Sequence, residues 1–183
     1  MKKIIISGMI GNALEWYDYA LYAQFAYIIG QKFFPQTDFV NILTFAVFAA
    51  GFVARPLGGV IFGHIGDKMG RRIALVVGIL LMAIPTAGIG LLPSYDSIGI
   101  AAPIILVFIR LLQGFSLGGE FSGCIAYIVE HSPAQSRALA GSASFVSMCL
   151  GMLLGLMVAQ GFTYFLTEEA LISWGWRVLI NMI

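Results

Sequence analysis

Two runs of this chain carry charge inside otherwise apolar sequence. The first is Gly11-Asn12-Ala13-Leu14-Glu15-Trp16-Tyr17-Asp18-Tyr19-Ala20-Leu21-Tyr22. On a helix, Asn12, Glu15, Tyr19 and Tyr22 share one face, with Asp18 on its edge. The second is Arg110-Leu111-Leu112-Gln113-Gly114-Phe115-Ser116-Leu117-Gly118-Gly119-Glu120, where Arg110, Gln113, Leu117 and Glu120 share a face. Arg110 and Glu120 stand ~15 Å apart along a helix axis, so each needs a partner on another helix. Glu15 or Asp18 suits Arg110. An ionised acid at the centre of a membrane helix costs roughly 2.5–3.5 kcal/mol, and such residues by default mark substrate or ion routes. A carboxyl held there can carry a proton, with a guanidinium as its charge partner. The proton and substrate pathway is therefore read as Glu15, Asp18, Tyr22, Arg110, Gln113 and Glu120. The alternative is that the acids sit near a membrane interface and are solvated there. Arg55 is a further charge partner on this pathway, or else a structural ion-pair partner of Glu120 or Asp67.

A third cluster is Gly63-His64-Ile65-Gly66-Asp67-Lys68-Met69-Gly70-Arg71-Arg72. It lies between the apolar runs 39–62 and 73–92. A short loop between two hairpinned helices must turn tightly, and glycine permits the turn. Its bases should hold it in the cytoplasm. Gly63, Asp67, Lys68, Gly70, Arg71 and Arg72 are read as a cytoplasmic loop.

The elements that must position these groups follow from composition. Of 183 residues, 60% are hydrophobic and 10% are charged. Soluble domains carry roughly 25% charged residues, so lipid is expected as the solvent. A spanning helix needs about 20 mainly apolar residues. Five stretches qualify, at about 4–29, 39–62, 73–92, 102–129 and 138–166, and a partial sixth begins at 174 and runs to 183. The expected fold is an all-α membrane protein in one membrane domain, 1–183. Asn12, Glu15 and Asp18 interrupt the first stretch, so it reads as an uncleaved helix rather than a signal peptide. With the N-terminus inside, Lys2, Lys3, Lys68, Arg71, Arg72 and Arg137 face the cytoplasm, against Lys32 in an outside loop.

Glycines four apart, Gly59/Gly63, Gly114/Gly118, Gly119/Gly123 and Gly151/Gly155, are candidates for close helix approach. Cys124 and Cys149 read as small buried apolar residues, and His64 and His131 as solvated cytoplasmic loop residues. There is no nucleotide-binding loop, metal-ligand spacing or nucleophile–base arrangement. No enzyme activity, cofactor, metal or nucleic-acid partner is expected.

The motif Gly-Asn-x-x-Glu-Trp-Tyr-Asp-Tyr from Gly11, the Gly63–Arg72 cluster, and Arg-Leu-Leu-Gln-Gly-Phe-Ser-x-Gly-Gly-Glu from Arg110 occur in order. Together they resemble the metabolite–proton symporter family of the major facilitator superfamily. Ser173-Trp174-Gly175-Trp176-Arg177 is similar to the start of that family's sixth helix. Members carry osmolytes such as proline and betaine, or organic acids such as 2-oxoglutarate, citrate and shikimate; this chain looks closest to the proline/betaine branch. The resemblance implies a helical bundle in the inner (plasma) membrane, working with a second half by alternating access. It further implies that the loop of Gly63, Asp67, Lys68, Gly70, Arg71 and Arg72 is a cytoplasmic gate, with Asp67 meeting a helix end of that half and Arg71 or Arg72 of its own motif. Twelve helices are implied and five and a fraction are present, so the chain is expected to be the N-terminal half of a proton-coupled transporter. Its partners would be the bilayer, the missing C-terminal half and, in the full architecture, a small solute and a proton. A truncated reading frame, a decayed gene product, a self-pairing half-transporter and a non-transporting membrane protein are the readings of that shortfall.

Overall fold

The computed structural model describes residues 2–35, 37–130 and 132–181. His131 and the end of the expected sixth segment, 182–183, lie outside them. The described chain is helical, with no strand among the described residues. The long helices are α1 (Lys2–Phe33), α2 (Val40–Met69), α3 (Arg71–Leu91), α5 (Ala101–Glu130) and α6 (Arg137–Phe165). Short pieces complete it: α4 (Tyr95–Ile98), α7 (Glu168–Ala170), a π-helical turn over Leu171–Gly175, and α8 (Trp176–Asn181).

Four of these helical stretches are long and apolar enough to cross a membrane: Val40–Met69, Arg71–Leu91, Ala101–Glu130 and Ala134–Phe165. The fifth expected span, α1, is 32 residues long but falls outside that set. Its acids, amides and tyrosines lower its hydropathy, and of these Asn12, Glu15, Asp18, Tyr19 and Tyr22 are turned into the bundle.

The cluster at 63–72 is not a loop. α2 runs on through Gly63, Gly66 and Asp67 to Met69, and α3 begins at Arg71. The chain reverses at Gly70 alone, whose φ of 98° lies in the region open to glycine. Its amide donates to the Gly66 carbonyl at 3.1 Å and closes the helix end. His64 consequently lies exposed on the last turns of α2 rather than on a loop.

Packing is dominated by α2 against α5, α1 against α6 and α3 against α5. The first two seams are made by missing side chains. A Cβ at Gly114 would collide with the Gly51 backbone, one at Gly58 with the Phe115 carbonyl, and one at Gly118 with the Arg55 carbonyl. Across the other seam, a Cβ at Gly151 would strike the Ala13 carbonyl. Such contacts let backbones meet where apolar side chains gain nothing over lipid. Of the four expected glycine pairs, Gly114/Gly118 and Gly151/Gly155 work this way. The other two do not work as pairs. Gly63 has nothing within 4 Å and Gly123 only the Leu75 side chain at 3.9 Å.

At the end opposite Gly70, the apolar core joins Leu21, Ile29, Phe33, Leu106, Trp176 and Leu179. Phe33 meets Trp176 edge-on at 5.5 Å, and Arg177 Nη2 donates to the Leu92 carbonyl at 3.4 Å, docking α8 beside α3. Outward faces are studded with exposed Val53, Leu57, Val60 and Ile84, a surface suited to an apolar solvent. Cys124 is buried as expected, but Cys149 is exposed, on an outward face of α6.

Candidate functional site

α1 is held by its polar face. Asn12 Nδ2 donates to the Ser144 carbonyl at 2.7 Å and to Ser147 Oγ at 2.8 Å, both on α6. Two turns on, Asp18 Oδ2 accepts from Arg110 Nη1 of α5 at 3.2 Å, and both side chains are almost fully buried. Arg110 lies over the Tyr22 ring, 3.6 Å from its centroid. Of the two acids open to Arg110, the geometry selects Asp18. Charge attraction in this poorly screened setting opposes the cost of removing both groups from solvent.

α5 is pinned to α3 in the same layer. Gln113 Nε2 donates to Thr86 Oγ1 at 2.5 Å, and Ser116 Oγ donates to the Gly78 carbonyl at 2.6 Å. Thr86 and the Ser144/Ser147 pair were not singled out from the sequence. Their signal was there: isolated hydroxyls at helical spacing in charge-free apolar runs, which need bonding partners inside a bundle.

Glu15 is fully buried, and neither carboxylate oxygen has a hydrogen-bond partner. The acids are therefore not solvated at an interface. Glu120 is also buried. The Glu120 carboxylate lies between α1 and α3: a Cβ on Gly11 would stand 3.5 Å from Oε1 and one on Gly78 3.5 Å from Oε2. This layer thus holds Glu15, Asp18 and Glu120 against Arg55 and Arg110, an excess of one carboxyl.

Arg55 makes neither expected ion pair: among the described residues no acid lies within 4.0 Å of it. Its guanidinium instead sits 4.0 Å from the Phe52 ring centroid, 4.9 Å from that of Tyr19 and 5.8 Å from that of Trp16. Asp67 is more than two helical turns further along α2, beyond the reach of the side chain. Glu120 projects toward α1 and α3 instead. These rings continue into an aromatic ladder: Tyr22 stacks on Phe48 at 5.4 Å, and Phe48 meets Phe52 edge-on at 5.4 Å. A cavity of about 600 Å³ opens beside Arg55 among α1, α2, α5 and α6, walled by Trp16, Phe52, Leu117, Phe121 and Phe145. The sequence pointed to Arg55 but not to the Trp16, Phe48 and Phe52 rings around it.

The residues expected to form the gate are apart from this layer. Asp67 Oδ1 pairs with Arg71 Nη2 at 3.0 Å across the Gly70 turn, and the same nitrogen lies 3.6 Å from Glu130 Oε1 at the end of α5. Of the two candidate arginines, Arg71 is the one engaged. Glu130 is an unforeseen third member. All three side chains are partly exposed, so the pairs set orientation more than stability.

The family profile described as "Sugar (and other) transporter" matches residues 4–183. A Staphylococcus aureus (strain COL) protein provisionally named a proline/betaine transporter is 46% identical over 97% of this chain and 39% of its own length. The "Glycine betaine/proline/ectoine/pipecolic acid transporter OusA" of Dickeya dadantii is 42% identical, with 97% and 36% covered. The "Proline/betaine transporter" of Escherichia coli (strain K12) is 41% identical, also over 97% and 36%. The chain thus spans less than two fifths of the length of these relatives. Among solved structures, the major facilitator superfamily proton:xylose symporter XylE superposes with a TM-score of 0.85 at 20% identity, covering 98% of this chain and 41% of that one. A partially occluded inward-open form of the xylose transporter XylE from E. coli gives 0.86 at 21% identity, covering 98% and 44%.

Proposed function

Because the chain belongs to the sugar (and other) transporter family of the major facilitator superfamily, we propose that it supplies one wall of a proton-coupled transporter for a small osmolyte of the proline or betaine kind. The buried layer of α1 and α5 carries this reading. Asp18 and Arg110 neutralise each other, Arg55 offsets one further acid, and one carboxyl is left over. A buried surplus carboxyl in a membrane bundle is a place for a travelling proton. Glu15, with no hydrogen-bond partner for either oxygen, is the group best suited to take it up. Asp18 holds Arg110 in place and exchanges that partner as the site changes state.

The protein is a multi-pass membrane protein in this reading. α1 is its fifth full span despite its acids, because they face inward. The basic residues place the N-terminus and the Gly70 turn in the cytoplasm. There the Asp67–Arg71–Glu130 cluster ties the ends of α2, α3 and α5 and presents Asp67 to the other half of the transporter. Alternating access moves that half against this one.

The test is a chimera in which this chain replaces the matching N-terminal part of the Staphylococcus aureus relative. Uptake of labelled proline and betaine is measured in cells with and without a proton gradient. Gradient-driven uptake is expected. Glu15→Gln and Asp18→Asn should each lower it at least tenfold and flatten its pH dependence. If both variants keep wild-type uptake and pH dependence, the proton role assigned to these acids is wrong.

A further inference from the structure

We propose that Arg55 and Trp16 form a recognition site for a zwitterion, the guanidinium taking a carboxylate and the indole face taking the adjoining ammonium. The inference rests on the transporter reading above and names the groups of this chain that would read the solute. Arg55 Nε and Nη2 are both buried without a hydrogen-bond partner, and no acid lies within ion-pair distance among the described residues. A planar fork of donors is the group best matched to a carboxylate. The rings around it have divided roles. Phe52, at 4.0 Å, and Tyr19, at 4.9 Å, hold the guanidinium by their faces. Trp16, at 5.8 Å, stands at the edge of cation–π range, and it borders two cavities, of about 600 and 280 Å³. It therefore has ring surface for a second cation, and indole is the strongest aromatic partner for one.

The charge of the wall narrows the ligand. Among the described residues lining the larger cavity, Arg55 is the sole ionisable side chain. A plain cation would be repelled by Arg55, and a plain anion would leave the Trp16 face unused. An amino-acid-like molecule, with carboxylate and ammonium separated by one carbon, satisfies both groups across the few ångströms between them. The remaining wall, Phe121, Leu117 and Phe145, is apolar and accepts N-methyl groups or a ring.

Glycine betaine, its methyl ester and choline carry the same trimethylammonium group, and only the first carries a carboxylate. Purified chain in lipid nanodiscs is examined by saturation-transfer NMR on the N-methyl protons of each. Betaine should give a signal at least fivefold above the ester and choline, and proline should displace it. Arg55→Gln should bring betaine down to the level of choline, and Trp16→Leu should remove most of the signal for betaine. Helix content by circular dichroism checks both variants, and the ester comparison needs no variant at all. Equal signals from betaine and its ester on the unaltered chain, or an unchanged betaine preference in folded Arg55→Gln, overturn the proposal. So does the absence of any betaine signal. If the chimera still takes up betaine in that case, the transporter reading stands and only this site is wrong; if it does not, both readings fall.

Discussion

The buried charge contact of the bundle, Asp18–Arg110 at 3.2 Å, has consequences for single residues. Removing one partner of a buried pair strands the other, at a cost of about 3–5 kcal/mol. Asp18→Asn or Arg110→Gln alone should therefore destabilise the bundle by about 3 kcal/mol, whereas the double variant should cost well under the sum. Unfolding titrations in mixed micelles, arranged as a double-mutant cycle, measure the coupling. A coupling below about 0.5 kcal/mol would mean the contact is incidental. Glu15→Gln should behave differently. Its carboxylate has no hydrogen-bond partner to lose, so the neutral amide should leave stability unchanged or raise it, and only transport should suffer.

At the scale of helices, glycine is decisive at some positions and irrelevant at others four residues away. Gly118→Val should drive α5 off α2 and cost about 2–3 kcal/mol or abolish folding, because its Cβ would meet the Arg55 carbonyl. Gly63→Ala, in open space on the same helix pair, should stabilise α2 by about 0.5–1 kcal/mol. Gly70→Ala should cost about 1–2 kcal/mol through its φ of 98°. The same micelle titrations rank all three, and a harmless Gly118→Val would undo the account of the seam. The helices themselves were legible in the sequence because apolar length is a direct signal for a membrane span. The charged stripes of α1 and α5 were legible because their cost in lipid forces them inward. What stayed hidden depended on neighbours. Nothing local distinguishes Gly118, against a backbone, from Gly63, against nothing. The choice of Asp18 over Glu15 for Arg110 is a matter of which turn of α1 lies level with Arg110. Nor does the motif at 63–72 announce that helix continues to Met69, since its charges and glycines read equally well as loop. Arg55 was recognised as costly, but its aromatic solution came from Phe52, Tyr19 and Trp16, residues that in an apolar sequence look like lipid contacts.

For the whole molecule, orientation and competence are separate questions. Six basic residues at one end of the helices predict that this end is cytoplasmic. In a Cys124→Ala/Cys149→Ser background, a cysteine at exposed Met69 should resist impermeant maleimide added to intact cells, and one at exposed Thr37 should react. The background change is needed because native Cys149 is itself exposed. Reaction at position 69 with none at 37 would invert the topology. Competence turns on walls. The residues proposed for the pathway lie on α1 and α5, and beside them Trp16, Phe52 and Arg55 face a cavity of about 600 Å³ left open among α1, α2, α5 and α6. Alternating access requires a second bundle to close that side in turn from each face of the membrane. Chain spanning 39% of the length of a matching relative supplies one bundle. The 183-residue chain in proteoliposomes is therefore expected to bind solute without accumulating it under a proton gradient, while the chimera with the relative's remaining length accumulates it. Gradient-dependent accumulation by the chain alone would show that two copies supply each other's missing wall, and the site would then be built twice from the same Arg55 and Trp16.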